Sequence, residues 1–141
     1  MLNIVDVTFD FEFGDLDGRF MNVAVTSGDQ TVNVTPDNPS VKLEKIKMPT
    51  QIKMDFTGKR QGKDTKVDSN GIIVQDMHVK LKGMRLDHMK VPEWVLQKKL
   101  AYTTASGETL KTAYIGFNGT MVIDIPETNV FSLFRRLNKD E

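Results

Sequence analysis

The sequence predicts an all-β fold, an antiparallel β-sandwich of jelly-roll-like form with one or two short helices. Three observations carry that expectation. Residues 5–13 alternate strictly, with Val5, Val7, Phe9, Phe11 and Phe13 apolar and Asp6, Thr8, Asp10 and Glu12 polar between them, the two-residue period of a strand buried on one face. Short alternating runs of the same kind recur along the chain, separated by Gly, Pro, Asn and Asp, the residues that turn a chain. Asn118-Gly119 stands between two apolar runs and is the preferred pair for a two-residue hairpin turn.

Taken in order, Gly14-Asp15-Leu16-Asp17-Gly18 supplies a loop, and Met21, Val23 and Val25 alternate in a second strand. Ser27-Gly28-Asp29 turns that strand into a third over 31–35. Pro36 to Ser40 breaks the pattern, after which Val41/Leu43, Ile46/Met48 and Ile52/Met54/Phe56 mark further strands. Residues 57–71 lack apolar periodicity and read as a long exposed loop, a place where function concentrates. Beyond it Met77, Val79 and Leu81 are odd-numbered whereas Met84 and Leu86 are even, a change of inward parity that predicts a bulge at Gly83. Pro92-Glu93-Trp94 opens a segment to Leu100 with the proline start of a short helix. In the hairpin centred on Asn118-Gly119, Gly116 faces Met121, Tyr114 faces Ile123 and Thr112 faces Ile125. Val130, Leu133, Phe134 and Leu137 have helical spacing after the cap residue Asn129, with Arg135 and Arg136 near the end where cations suit the helix dipole; Phe131/Leu133 also suit a strand.

A chain of 141 residues suits one domain, here 1–141, with 129–141 as a docking segment. It has no cysteine, which excludes disulfides, thiolate metal sites and a cysteine nucleophile. The N-terminus lacks a basic region before its first strand, so no signal peptide is expected, and no apolar run reaches membrane-span length. Nineteen Lys and Arg balance nineteen Asp and Glu, against a nucleic-acid partner, which favours a net basic domain. The charges are uneven along the chain: residues 1–40 carry seven acids and one arginine, residues 41–100 fourteen bases and seven acids. Either the strands interleave and mix the signs, or the molecule has an acidic and a basic face suited to association with its own copies.

Asp64, Asp68, Asn70 and Asp76 gather oxygen donors around a Gly71 turn, the donor type that calcium takes six to eight of. Lys66 and the missing terminal Glu depart from an EF-hand loop, and Asn-Gly in such a row also marks a plain turn. No other cofactor is suggested. Trp94, Tyr102 and Tyr114 offer flat faces on which sugar rings stack, although a lone Trp at the start of a short helix is more often a core plug than a platform. His78 and His88 read as solvated surface side chains. With no nucleophile elbow, phosphate-binding glycine loop, HExxH or CxxC, the sequence predicts no enzyme.

Residues 49–59, Asp64-Thr65, 68–73, Asp76, Met84-Arg85-Leu86-Asp87 and Phe117-Asn118-Gly119-Thr120 together resemble small virion-associated proteins of tailed phages that infect marine cyanobacteria. The resemblance spans roughly residues 45–135 and consists of loop and strand motifs. It implies a structural part of the virion, in the tail, neck or capsid surface, made in the host cytoplasm and present in many copies. Its partners would be other virion proteins or its own copies. By residue type the segment Val130, Phe131, Leu133, Phe134, Arg135, Arg136 and Leu137 either packs on the domain's own sheet or docks on such a neighbour. In outline the sandwich, polar loop and aromatics also resemble calcium-dependent carbohydrate-binding modules, which implies a glycan partner instead.

Overall fold

The computed structural model describes residues 4–48, 50–60, 65–92, 96, 100–110 and 112–125. Asp64, Trp94 and the docking segment 129–141 lie outside them, as does most of the expected helix after Pro92, although Leu96 is helical and its N–H donates to the Pro92 carbonyl at 3.0 Å. Among the described residues the chain forms thirteen strands: β1 (Ile4–Gly14), β2 (Asn22–Ser27), β3 (Gln30–Val34), β4 (Ser40–Lys47), β5 (Thr50–Thr57), β6 (Thr65–Val67), β7 (Ile73–Asp76), β8 (His78–Leu86), β9 (Met89–Lys90), β10 (Ala101–Thr104), β11 (Thr109–Leu110), β12 (Tyr114–Ile115) and β13 (Gly119–Ile125).

They build an antiparallel β-sandwich. One sheet runs β12-β8-β1-β4 with β9 also on β8, the other β11-β10-β13-β5-β2-β3. The chain crosses between sheets after β1, β3, β4, β9, β11 and β12, and from β5 to β8 by way of β6 and β7, the jelly-roll-like alternation the sequence predicts. β6 and β7 form a separate two-stranded ribbon. Alternation decides what lies between the sheets: Val5, Val7, Phe9 and Phe11 of β1 face Ile52, Met54 and Phe56 of β5 and Met121, Ile123 and Ile125 of β13 in one buried core. Burying Phe9 alone contributes roughly 3 kcal/mol.

Two parity changes are bulges. In β1–β8, Asp10 pairs with Gly83 but Phe11 with Leu81, which leaves Lys82 as the extra residue. In β1–β4 the shift falls between Val5 and Val7, opposite Lys45, which takes φ 55°. Asp6 Oδ1 accepts the Lys45 amide at 2.9 Å and so stabilises this left-handed residue. The same pairing brings acidic β1 between basic neighbours. Arg85 meets Asp10 at 3.1 Å, Lys82 meets Glu12 at 3.2 Å and Lys42 meets Asp6 at 3.7 Å, so the signs mix along β1.

Two local expectations are corrected. The 57–71 stretch is not loop throughout, because Thr65–Val67 pairs with Ile73–Asp76. The Asn118-Gly119 hairpin does not form: β12 joins β8 in one sheet and β13 joins β5 and β10 in the other. A type I′ turn needs positive φ at both central residues, and neither Asn118 nor Gly119 has it. Gly119 is instead required by close approach, since a Cβ there would lie 2.3 Å from the Thr103 carbonyl oxygen. Asn118 acts as a pairing residue, accepting the Lys59 N–H at 3.0 Å and donating to the Lys59 carbonyl at 2.8 Å.

Candidate functional site

That Asn118 bridge starts the site. After β5, Gly58 at φ 94° turns the chain, and Asn118 holds the Lys59 backbone as a strand neighbour would. The Lys59 side chain then runs inward, only 5% exposed. A buried ammonium requires compensation, and it has three forms here. Lys59 Nζ donates to Asp76 Oδ1 at 2.5 Å and to the Gly116 carbonyl at 2.5 Å, and it stands 5.6 Å from the centre of the Phe117 ring, within cation–π range.

Asp76 ends β7 and is the junction of the network. Its Oδ1 also accepts Thr65 Oγ1 at 2.6 Å, and its Oδ2 accepts the Tyr114 hydroxyl at 3.3 Å. Burial pushes the Asp76 pKa up, but hydrogen bonds from Lys59 and Thr65, the Lys59 charge and Tyr114 outweigh it and hold the carboxyl below its ordinary value of 3.8. The reverse applies to Tyr114, raised by burial and by the negative charge of Asp76.

Tyr114 is 44% exposed. Its ring stacks on His78 at 4.5 Å and 19° between planes, and His78 Nδ1 bonds with the Asp76 carbonyl at 3.0 Å. His78 fits because it pairs with Gly14, where a Cβ would fall 2.0 Å from the imidazole. His78 is therefore half-buried and packed, not the solvated side chain its polar position suggests, whereas His88 is exposed.

These groups wall an open cleft of about 490 Å³, lined by Ile73, Asp76, Leu110, Thr112, Tyr114 and Phe117 with Tyr102 and Gly116 beneath. Gly116 keeps space between its walls, since a Cβ there would stand 3.3 Å from the Tyr114 ring and 3.4 Å from Asp76 Oδ2. Phe117 is 46% exposed, so two aromatic rings border a carboxylate and two hydroxyls. Apolar faces with a few convergent polar groups are the chemistry of a small-ligand site, and C–H faces of a sugar stack on such rings.

Of the residues singled out from sequence, the structure brings Asp76, Tyr102 and Tyr114 to this cleft and keeps Asp68 and Asn70 out of its lining. Tyr102 is corrected as a stacking platform: it is fully buried, packs edge-on to Phe56 and donates its hydroxyl to the Phe117 carbonyl. Its phenol pKa is pushed up to about 12 by burial. Of the cation set, Asp64 lies outside the described residues. Asp68 Oδ1 accepts the amides of Asn70 at 2.9 Å and Ile72 at 3.0 Å as a turn cap, and Asp76 is already paired with an ammonium. Among the described residues no three His, Asp or Glu side chains gather to hold a metal. Lys59, His78, Gly116 and Phe117 were not legible as site residues, because their roles depend on contacts far apart in sequence.

No family model matches the sequence, and no curated protein matches it. A solved structure shares the fold with a TM-score of 0.53 at 12% identity, over 85% of this chain and 90% of that one; it is vCBM60, described in connection with two families of calcium-dependent carbohydrate-binding modules linked by circular permutation.

Proposed function

We propose that this chain is a non-catalytic carbohydrate-binding module whose site is the Tyr114 cleft. One observation carries the reading: a half-exposed tyrosine ring, backed by His78 at 4.5 Å, stands with its hydroxyl 3.3 Å from a carboxylate in an open cleft. The ring receives the apolar face of a sugar, and Asp76 Oδ2, the Tyr114 hydroxyl and Thr112 exchange hydrogen bonds with its hydroxyl groups. Support comes from the shared sandwich fold of a neighbour described among carbohydrate-binding modules.

Affinity electrophoresis through gels containing neutral polysaccharides, one per gel, tests the proposal. At least one polysaccharide retards the wild type, and Tyr114→Ala, a change at an exposed side chain, reduces retardation about tenfold while shifting the melting midpoint little. Wild-type mobility unchanged by every polysaccharide in the panel counts against the proposal.

A further inference from the structure

Among the described residues Asp76 is the one carboxylate lining the Tyr114 cleft, so a cation held there through a described carboxylate would engage it. Its Oδ1 already holds two donors and its Oδ2 one. Oδ1 holds both Lys59 Nζ at 2.5 Å and Thr65 Oγ1 at 2.6 Å, and Oδ2 holds the Tyr114 hydroxyl at 3.3 Å. A divalent ion placed on this carboxylate would stand beside a buried ammonium, and like charges at such range repel strongly. Calcium also takes six to eight oxygens, and the described residues gather no set of three acidic or imidazole side chains. The ammonium itself is well held, with Gly116 O at 2.5 Å and the Phe117 ring at 5.6 Å.

We propose that Lys59 is the resident cation of the cleft, a positioning residue that fixes Asp76 and Tyr114 to receive sugar hydroxyls, so that carbohydrate binding here needs no calcium. The inference rests on the carbohydrate reading above. A lysine does for the carboxylate what a bound ion would do: it neutralises the charge and holds Oδ1, while Oδ2 takes one bond, from Tyr114. Being covalent to the chain, it is not removed by a chelator. The ligand then meets a carboxylate and a phenol in a fixed relation, an arrangement that costs little reorganisation on binding.

The test compares retardation of the wild type on a retaining polysaccharide in gels with calcium and in gels with EDTA. Equal retardation is expected. Lys59→Met loses about tenfold or more in retention, calcium does not restore it, and Lys59→Arg, which keeps the charge, recovers part of it. The wild-type comparison stands even if Lys59→Met does not fold. Retardation abolished by EDTA and restored by calcium overturns this inference while leaving the carbohydrate reading intact. A melting temperature raised by calcium alone, with the rise absent in Asp76→Asn, overturns it as well. A protein retarded by no polysaccharide in either buffer sinks the carbohydrate reading and this inference together.

Discussion

Gly14, His78 and Tyr114 form a stack in which the smallest residue sets the position of the exposed one. With no side chain at Gly14, the imidazole of its partner His78 lies against the backbone, and the Tyr114 ring lies on the imidazole at 4.5 Å. Gly14→Ala puts a Cβ 2.0 Å from the His78 ring and forces it toward Tyr114, so polysaccharide retention falls while stability drops by only about 1–3 kcal/mol. Retention unchanged by Gly14→Ala would separate the stack from binding. Asp76 gives a pH-dependent prediction. Its folded pKa lies below 3.8, so folding is favoured by the ionised form. The stability it contributes is complete above 3.8 and is lost as pH falls through the depressed value. Denaturant midpoints measured as pH falls from neutral should drop on that limb, and Asp76→Asn should flatten it. The sequence made Tyr114 and Asp76 legible by residue type alone. Lys59 was not legible, because lysine is ordinarily exposed and its burial is decided by Asp76 and Gly116, 17 and 57 residues away.

At the scale of elements, the strands with one buried face were the readable part. β1, β2, β5 and β8 follow apolar alternation, and the Lys82-Gly83 bulge follows from a slip in its parity. Asn118-Gly119 misled because the pair has two uses. It can close a tight turn, or an Asn side chain can imitate a strand's backbone while Gly admits a close neighbour, and only the contacts with Lys59 and Thr103 distinguish them. Asn118→Ala removes both bonds to the Lys59 backbone and leaves a partly buried N–H and C=O unpaired. The expected cost is about 2 kcal/mol, and the loosened Lys59 also weakens retention. A midpoint within error of wild type would show that water replaces Asn118 there. β6 escaped notice because three residues, two of them exposed and none apolar on a buried face, carry no period.

Over the whole molecule, topology accounts for the neutral, mixed surface. The acid-rich first strand lies between β4 and β8, which come from the base-rich middle of the chain, and such exposed pairs each contribute no more than about 1 kcal/mol. The fold class was legible since it needs only periodicity and turns; the cleft was not, since it is assembled from β7, β10, β11 and β12 and the residues that flank β12. Its use is the central claim, and the most direct test is a two-dimensional amide NMR titration of the wild-type protein with an oligosaccharide cut from a retaining polysaccharide. Binding at the cleft predicts shifts centred on Ile73, Asp76, Thr112, Tyr114, Gly116 and Phe117, with little change at the separate acid- and base-lined hollow around Asp6, Lys42 and His88. Shifts centred on that hollow, or none in the cleft at saturation, would contradict it.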